Sequence, residues 1–159
     1  MEHIQLRPAT DADLAFLRSL YASTREAEMA LVPWSDYQKA QFVEQQFFAQ
    51  HSGYHQTYPN AQYSVIVFDG SDIGRLYVDR NDDEILLMEV TLVVEKRNQG
   101  IGSALLATLI NEARATSKPI RLHVEDDNPA VRLYERHGFR TIERAPIYTL
   151  MEWRDALPR

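Results

Sequence analysis

The stretch Arg97-Asn98-Gln99-Gly100-Ile101-Gly102-Ser103 carries the clearest chemistry in the sequence. Its two glycines follow an apolar run at residues 85–94 and precede a helical pattern at residues 104–115. A strand that ends in so tight a turn and opens directly into a helix leaves backbone N–H groups unpaired at the positive end of the helix dipole. Such a turn suits an anion, a phosphate or pyrophosphate above all. Lys96 and Arg97 flank it and fit an anion-binding role at least as well as a solvated one. Arg114 and Lys118, farther on, read better as a solvated helix face. The chain has no cysteine, which excludes disulfides, thiolate metal sites and a cysteine nucleophile.

The elements that must position this turn can be read on either side of it. Ile4 and Leu6 alternate with polar neighbours, as in a short strand ending at Pro8. Thr10 and Asp13 have capping-box spacing, with Leu14, Leu17 and Tyr21 following at helical intervals. A second helix is expected from Ser35 or Asp36, its apolar face made by Ala40, Val43, Phe47 and Phe48. Residues 51–60, rich in Gly, Pro, His and Tyr, read as a loop. Strands are expected at residues 63–68 and 73–78, with a hairpin turn at Asp69-Gly70-Ser71-Asp72 between them. A long central strand is expected at residues 84–94, and a buried one at 119–124. Asp127 or Asn128 should cap a further helix that Gly138 ends, and residues 139–142 and 147–153 read as terminal strands.

At 159 residues the chain is long enough for one domain with a sizeable core, and we expect residues 1–159 to form one. Hydrophobic residues make up 45% and charged residues 25%, as in ordinary globular proteins. The formal net charge of −6 argues against nonspecific nucleic-acid binding. No apolar run is long enough to span a bilayer, and the first residues lack a secretory pattern, so a cytoplasmic location is expected.

A second segment stands at a telling distance from the glycine turn: Asn128-Pro129-Ala130-Val131-Arg132-Leu133-Tyr134-Glu135-Arg136-His137-Gly138-Phe139. With the element order βααβββαβαββ, the two motifs resemble the GCN5-related N-acetyltransferase (GNAT) family. That family's pyrophosphate signature, Gln/Arg-x-x-Gly-x-Gly/Ala, is met by Arg97, Gly100 and Gly102. Its later signature, Asn-x-x-Ala-x-x-x-Tyr-x-x-x-Gly-Phe in loose form, is met with an Asn-to-Tyr gap one residue shorter. Asn98 stands where many members have glycine. The resemblance covers nearly the whole chain in element order and is weakest over residues 25–60. It implies an α/β acyl-CoA N-acyltransferase fold with a central mixed, mostly antiparallel sheet flanked by helices.

The resemblance further implies acetyl-CoA as donor and an amine, on a small molecule or a peptide, as acceptor. Backbone amides from Asn98 through Gln99, Gly100, Ile101 and Gly102 to Ser103 would hold the pyrophosphate. The strand edge at Val90, Thr91 and Leu92 would pair with pantetheine, beside a gap between splayed central strands. Asn128 would hydrogen-bond the cofactor, with Arg132 a weaker candidate near its phosphates. Without cysteine, direct attack by the amine in a ternary complex is favoured. It needs a base, oxyanion donors and an acid for the departing thiolate. Tyr134 matches the family's general-acid tyrosine. For the base, His123 between Leu122 and Val124 and Glu89 in the strand before the turn compete, with Glu84 third. Leu86 occupies a position where members often place a carboxylate. Trp34, Tyr37, Tyr54 and Tyr58, with Glu26, Glu28 and Asp36, either receive a cationic acceptor or simply pack helices on the sheet. A non-catalytic acyl-CoA sensor or partner-binding module of the same fold is the alternative reading. Members are often homodimers, and the terminal strands offer an edge.

Overall fold

Two helices start where side chains can cap them. The Thr10 amide donates to Asp13 Oδ2 (2.9 Å), opening a 3-10 turn at Asp11–Asp13 that leads into α1 (Leu14–Ala30). Ser35 and Gln38 cap α2 (Asp36–Thr57) reciprocally, each backbone N–H donating to the other's side chain (3.0 and 3.2 Å). The remaining elements of this computed structural model, which describes residues 3–156, are β1 (Ile4–Pro8), β2 (Gln62–Phe68), β3 (Ser71–Arg80), β4 (Ile85–Leu92), α3 (Ile101–Thr116), β5 (Ile120–Val124), α4 (Ala130–Arg136), β6 (Arg140–Arg144) and β7 (Thr149–Trp153). The expected order βααβββαβαββ is found. The strands form a mixed sheet in the order β1-β2-β3-β4-β5-β7-β6, with β4 and β5 parallel and the β1–β2, β5–β7 and β6–β7 pairs antiparallel.

The described residues pack as two compact units, one of residues 77–89 and 97–156, the other of residues 3–76 and 90–96. In the second, Val43 and Phe47 of α2 meet Leu17, Tyr21 and Met29 of α1 in a buried cluster. In the first, Leu105, Leu106, Leu109, Ile110 and Ala113 form the buried stripe of α3, which packs on β5, where Ile120 and Leu122 are buried. Burying such stripes is the main favourable term in folding, at about 25 cal/mol per Å² of apolar surface.

Several boundaries differ from expectation. Residues 51–57 continue α2 rather than forming a loop. Gly53 is a tolerable cost in a helix, while the His51 ring stacks on Phe47 (5.6 Å) and lies 4.5 Å from His55, both at i,i+4 spacing. The His55 ring stacks in turn on Tyr63 of β2 (4.0 Å). Ala40 and Phe48 are exposed, because Val43 and Phe47, with Phe42 beside them, make the face that packs on α1. The long strand stops at Leu92. Val94 lies in a 3-10 turn closed by the Lys96 amide on the Val93 carbonyl (3.0 Å). Ile147 and Tyr148 lie outside β7, exposed in the turn after Pro146. β6 begins one residue later than expected and runs to Arg144 through an irregularity between Thr141 and Glu143.

Candidate active site

Backbone conformation makes the glycine turn what its residues suggest. Asn98 (φ 60°) and Gly100 (φ 84°) both occupy the left-handed region, which glycine enters freely and asparagine better than most. Asn98 thus adopts a conformation for which glycine is the usual residue. Gly100 is the N-cap of α3, so the amides of Ile101, Gly102 and Ser103 open the helix. The helix itself has no acceptor for them. Ala104 is the first to bond back, to the Gly100 carbonyl (3.0 Å). Ile101 is buried and anchors this first turn in the core. Gly102 has a packing role that its place in the motif does not show: a Cβ there would lie 3.2 Å from Leu133 Cδ2 of α4.

The α4 segment is tied down at both ends. Asn128 Oδ1 accepts from the Ala130 amide (2.9 Å) and the Asn128 carbonyl from the Val131 amide (3.1 Å), so Asn128 performs the capping expected of it although Pro129 is the formal N-cap. At the other end Gly138 (φ 93°) follows the helix, and the Phe139 amide bonds the Tyr134 carbonyl (3.0 Å). The Thr149 hydroxyl, buried in β7, bonds Asp126 and ties the loop before α4 to the sheet.

Tyr134 is buried, its ring 5.6 Å from that of Phe139. Burial, and next the charge of Glu89, raise its pKa well above the ordinary phenol value. It is a phenol held firmly protonated.

The parallel register explains why Glu89 faces it. Ile85 pairs with Ile120 and Leu86 with Arg121. Strand alternation then puts Leu87 and Glu89 on the face of Ile85, shared by Leu122 and Val124. Among the described residues the β4–β5 ladder stops at those two pairs although both strands continue, which is the splay the resemblance implies.

His123 lies on the opposite face, beside Arg121. It is exposed and lines an open pocket of about 390 Å³ with Glu143, Leu150 and residues 145–148. The structure therefore brings Tyr134 and Glu89 together and sets His123 apart. Glu84, just before β4, and Leu86, near its start, are half-buried.

In the other unit, Thr91 is buried and Val90 and Leu92 are half-buried. A Cβ on Gly74 would lie 2.3 Å from the Thr91 carbonyl oxygen, so β3 can approach β4 there only because residue 74 has no side chain. Of the aromatic candidates, Trp34 packs edge-on to Phe42 (5.3 Å), and Tyr37 is exposed and accepts from Gln41. Tyr54 and Tyr58 are half-buried. Glu28 pairs with Arg25, which leaves it less able to draw a cationic acceptor.

Fold and motif define a class. The Acetyltransferase (GNAT) domain profile matches residues 59–141, more than half of the chain, and the protein belongs to the GNAT acetyltransferase family. Among solved structures it is similar to the PaiA N-acetyltransferase of Thermoplasma acidophilum in complex with coenzyme A, at 17% identity over 96% of this chain and 99% of that one, TM-score 0.71. It is also similar to Arabidopsis thaliana Naa50 in complex with the bisubstrate analogue CoA-Ac-MVNAL, at 17% identity over 94% and 97%, TM-score 0.62. A GNAT family acetyltransferase of Elizabethkingia anophelis with acetyl-CoA bound matches at 15% identity over 97% and 99%, TM-score 0.58. At such identities the likeness is one of fold. No curated protein matches the sequence. No described helix is long and apolar enough to cross a membrane.

Proposed function

We propose that residues 1–159 form a single domain that moves an acetyl group from acetyl-CoA to a primary amine by direct attack in a ternary complex. The observation that carries this reading is the conjunction of the glycine turn with the buried Tyr134, which feels the charge of the half-buried Glu89, beside the end of the β4–β5 ladder. The amides of residues 98–103 hold the pyrophosphate, with Arg97 beside them and Asn128 at the start of α4. Val90, Thr91 and Leu92 of β4, in the other unit, are taken as the pantetheine-binding residues that the resemblance implies. The CoA complexes of the fold relatives support this choice of donor.

Glu89, directly or through a water, takes the proton that the amine loses as the C–N bond forms. Tyr134 donates to the sulfur as the C–S bond breaks. The two roles reinforce each other. The Glu89 charge is one cause of the raised Tyr134 pKa. Protonating Glu89 removes that charge, so the phenol becomes more acidic when the departing thiolate needs its proton.

His123, on the opposite face of the sheet beside an open pocket, is set aside as the base in this reading.

A screen for CoA thiol release across polyamines, aminoglycosides, amino-acid amides and peptides tests the reading. Turnover on one amine class supports it. Acetyl-CoA binding without turnover on any class would replace it with the sensor reading.

A further inference from the structure

His137 has no role in the mechanism above, yet its ring reaches the first turn of α3. Its Nε2 lies 3.2 Å from Ser103 Oγ, and the imidazole is half-buried. The backbone at His137 is fixed independently, since its N–H is shared by the Leu133 and Tyr134 carbonyls (3.2 and 3.1 Å). The ring is thus held against Ser103 by the end of one helix and the start of another.

A serine hydroxyl has one proton. If Nε2 is a bare acceptor, Ser103 donates to it and turns only lone pairs toward an anion at the helix N-terminus. If Nε2 carries a proton, the imidazole donates to Oγ and the Ser103 O–H is released to point outward. Only the second arrangement adds a donor to the amides of the turn. We propose that His137 is a positioning residue that fixes Ser103 as a donor to the pyrophosphate of the acyl donor. The inference rests on the acetyl-CoA reading above. It adds a hydroxyl donor to the backbone amides of the cradle.

The test is a double-mutant cycle, with calorimetric affinity for acetyl-CoA and kcat/KM for acetyl-CoA and for acetyl-pantetheine, which lacks the pyrophosphate. His137→Phe keeps the ring volume but cannot donate, and should weaken acetyl-CoA binding about five- to tenfold, the scale of one ordinary net hydrogen bond. The loss should appear in KM rather than kcat and be absent with acetyl-pantetheine. His137→Gln, which retains an N–H donor, should recover most of it. In a Ser103→Ala background His137→Phe should have no further effect. Wild-type affinity in His137→Phe, or an equal loss with and without Ser103, would overturn the inference while leaving the donor reading intact. A wild-type protein that binds no acetyl-CoA would overturn both, and melting temperatures of the variants separate these outcomes from misfolding.

Discussion

The phenol of Tyr134 and the carboxylate of Glu89, on different elements of one compact unit, are electrostatically coupled: the Glu89 charge raises the pKa of the buried phenol. A solvated tyrosine beside a solvated glutamate would show little of this, because water screens the pair. The coupling makes the pair testable as a unit. Tyr134→Phe should lower kcat by about a hundredfold, the scale of a lost general acid, with little change in the KM for acetyl-CoA. Glu89→Gln should lower kcat similarly, and the double variant should lose much less than the product of the two effects. Steady-state kinetics on the best amine from the release screen would check this, and a Tyr134→Phe enzyme at the wild-type rate would remove the acid.

Gly74 should resist substitution. A Cβ would sit 2.3 Å from a backbone oxygen, which cannot rotate away as a side chain can. Gly74→Ala should therefore cost about 1–3 kcal/mol in urea unfolding, the range for overpacked sites. Gly53→Ala is the contrast: nothing lies within 4 Å of its Cβ, and the position is helical. That change should stabilise by about 0.5–1 kcal/mol.

Acid should act through Asp13. Hydrogen bonds from Arg7, and then from the Thr10 amide, pull its pKa from 3.8 down to about 2. Its contribution is fully present above the ordinary carboxylate value and is lost as pH falls through about 2. The wild-type protein should lose stability across that window, and Asp13→Asn should be less stable at neutral pH with a flatter profile below pH 4. Thermal melts at a series of pH values would show this.

The legible parts of the molecule were those where a local signal has one structural answer. Thr10 with Asp13, the start of α2 at Ser35 and Asp36, and the Asp69-Gly70 turn (φ 50° and 81°) lie where their residue types place them. The glycine turn was legible for the same reason, down to the left-handed Asn98. Residues 51–57 were not, because the rings that hold them helical interact through Phe47, His55 and the distant Tyr63. The separation of His123 from Glu89 was also hidden: each lies on a strand, but which face each uses depends on the Ile85–Ile120 register. The contacts of Ser103 with His137 and of Asp126 with Thr149 join residues 34 and 23 positions apart and leave no local pattern.

The central claim is that the turn at residues 97–103 binds acetyl-CoA, and its most direct test is calorimetric titration of acetyl-CoA into the wild-type protein and Gly102→Glu. Position 102 borders Leu133 and opens α3, so a glutamate there brings bulk and negative charge to the cradle. An acid in the first turn of a helix does not itself disfavour the helix. The account predicts saturable one-to-one binding by the wild-type protein and none by a variant that still melts cooperatively. A wild-type protein without saturable binding, or a folded Gly102→Glu protein with unchanged affinity, would contradict it.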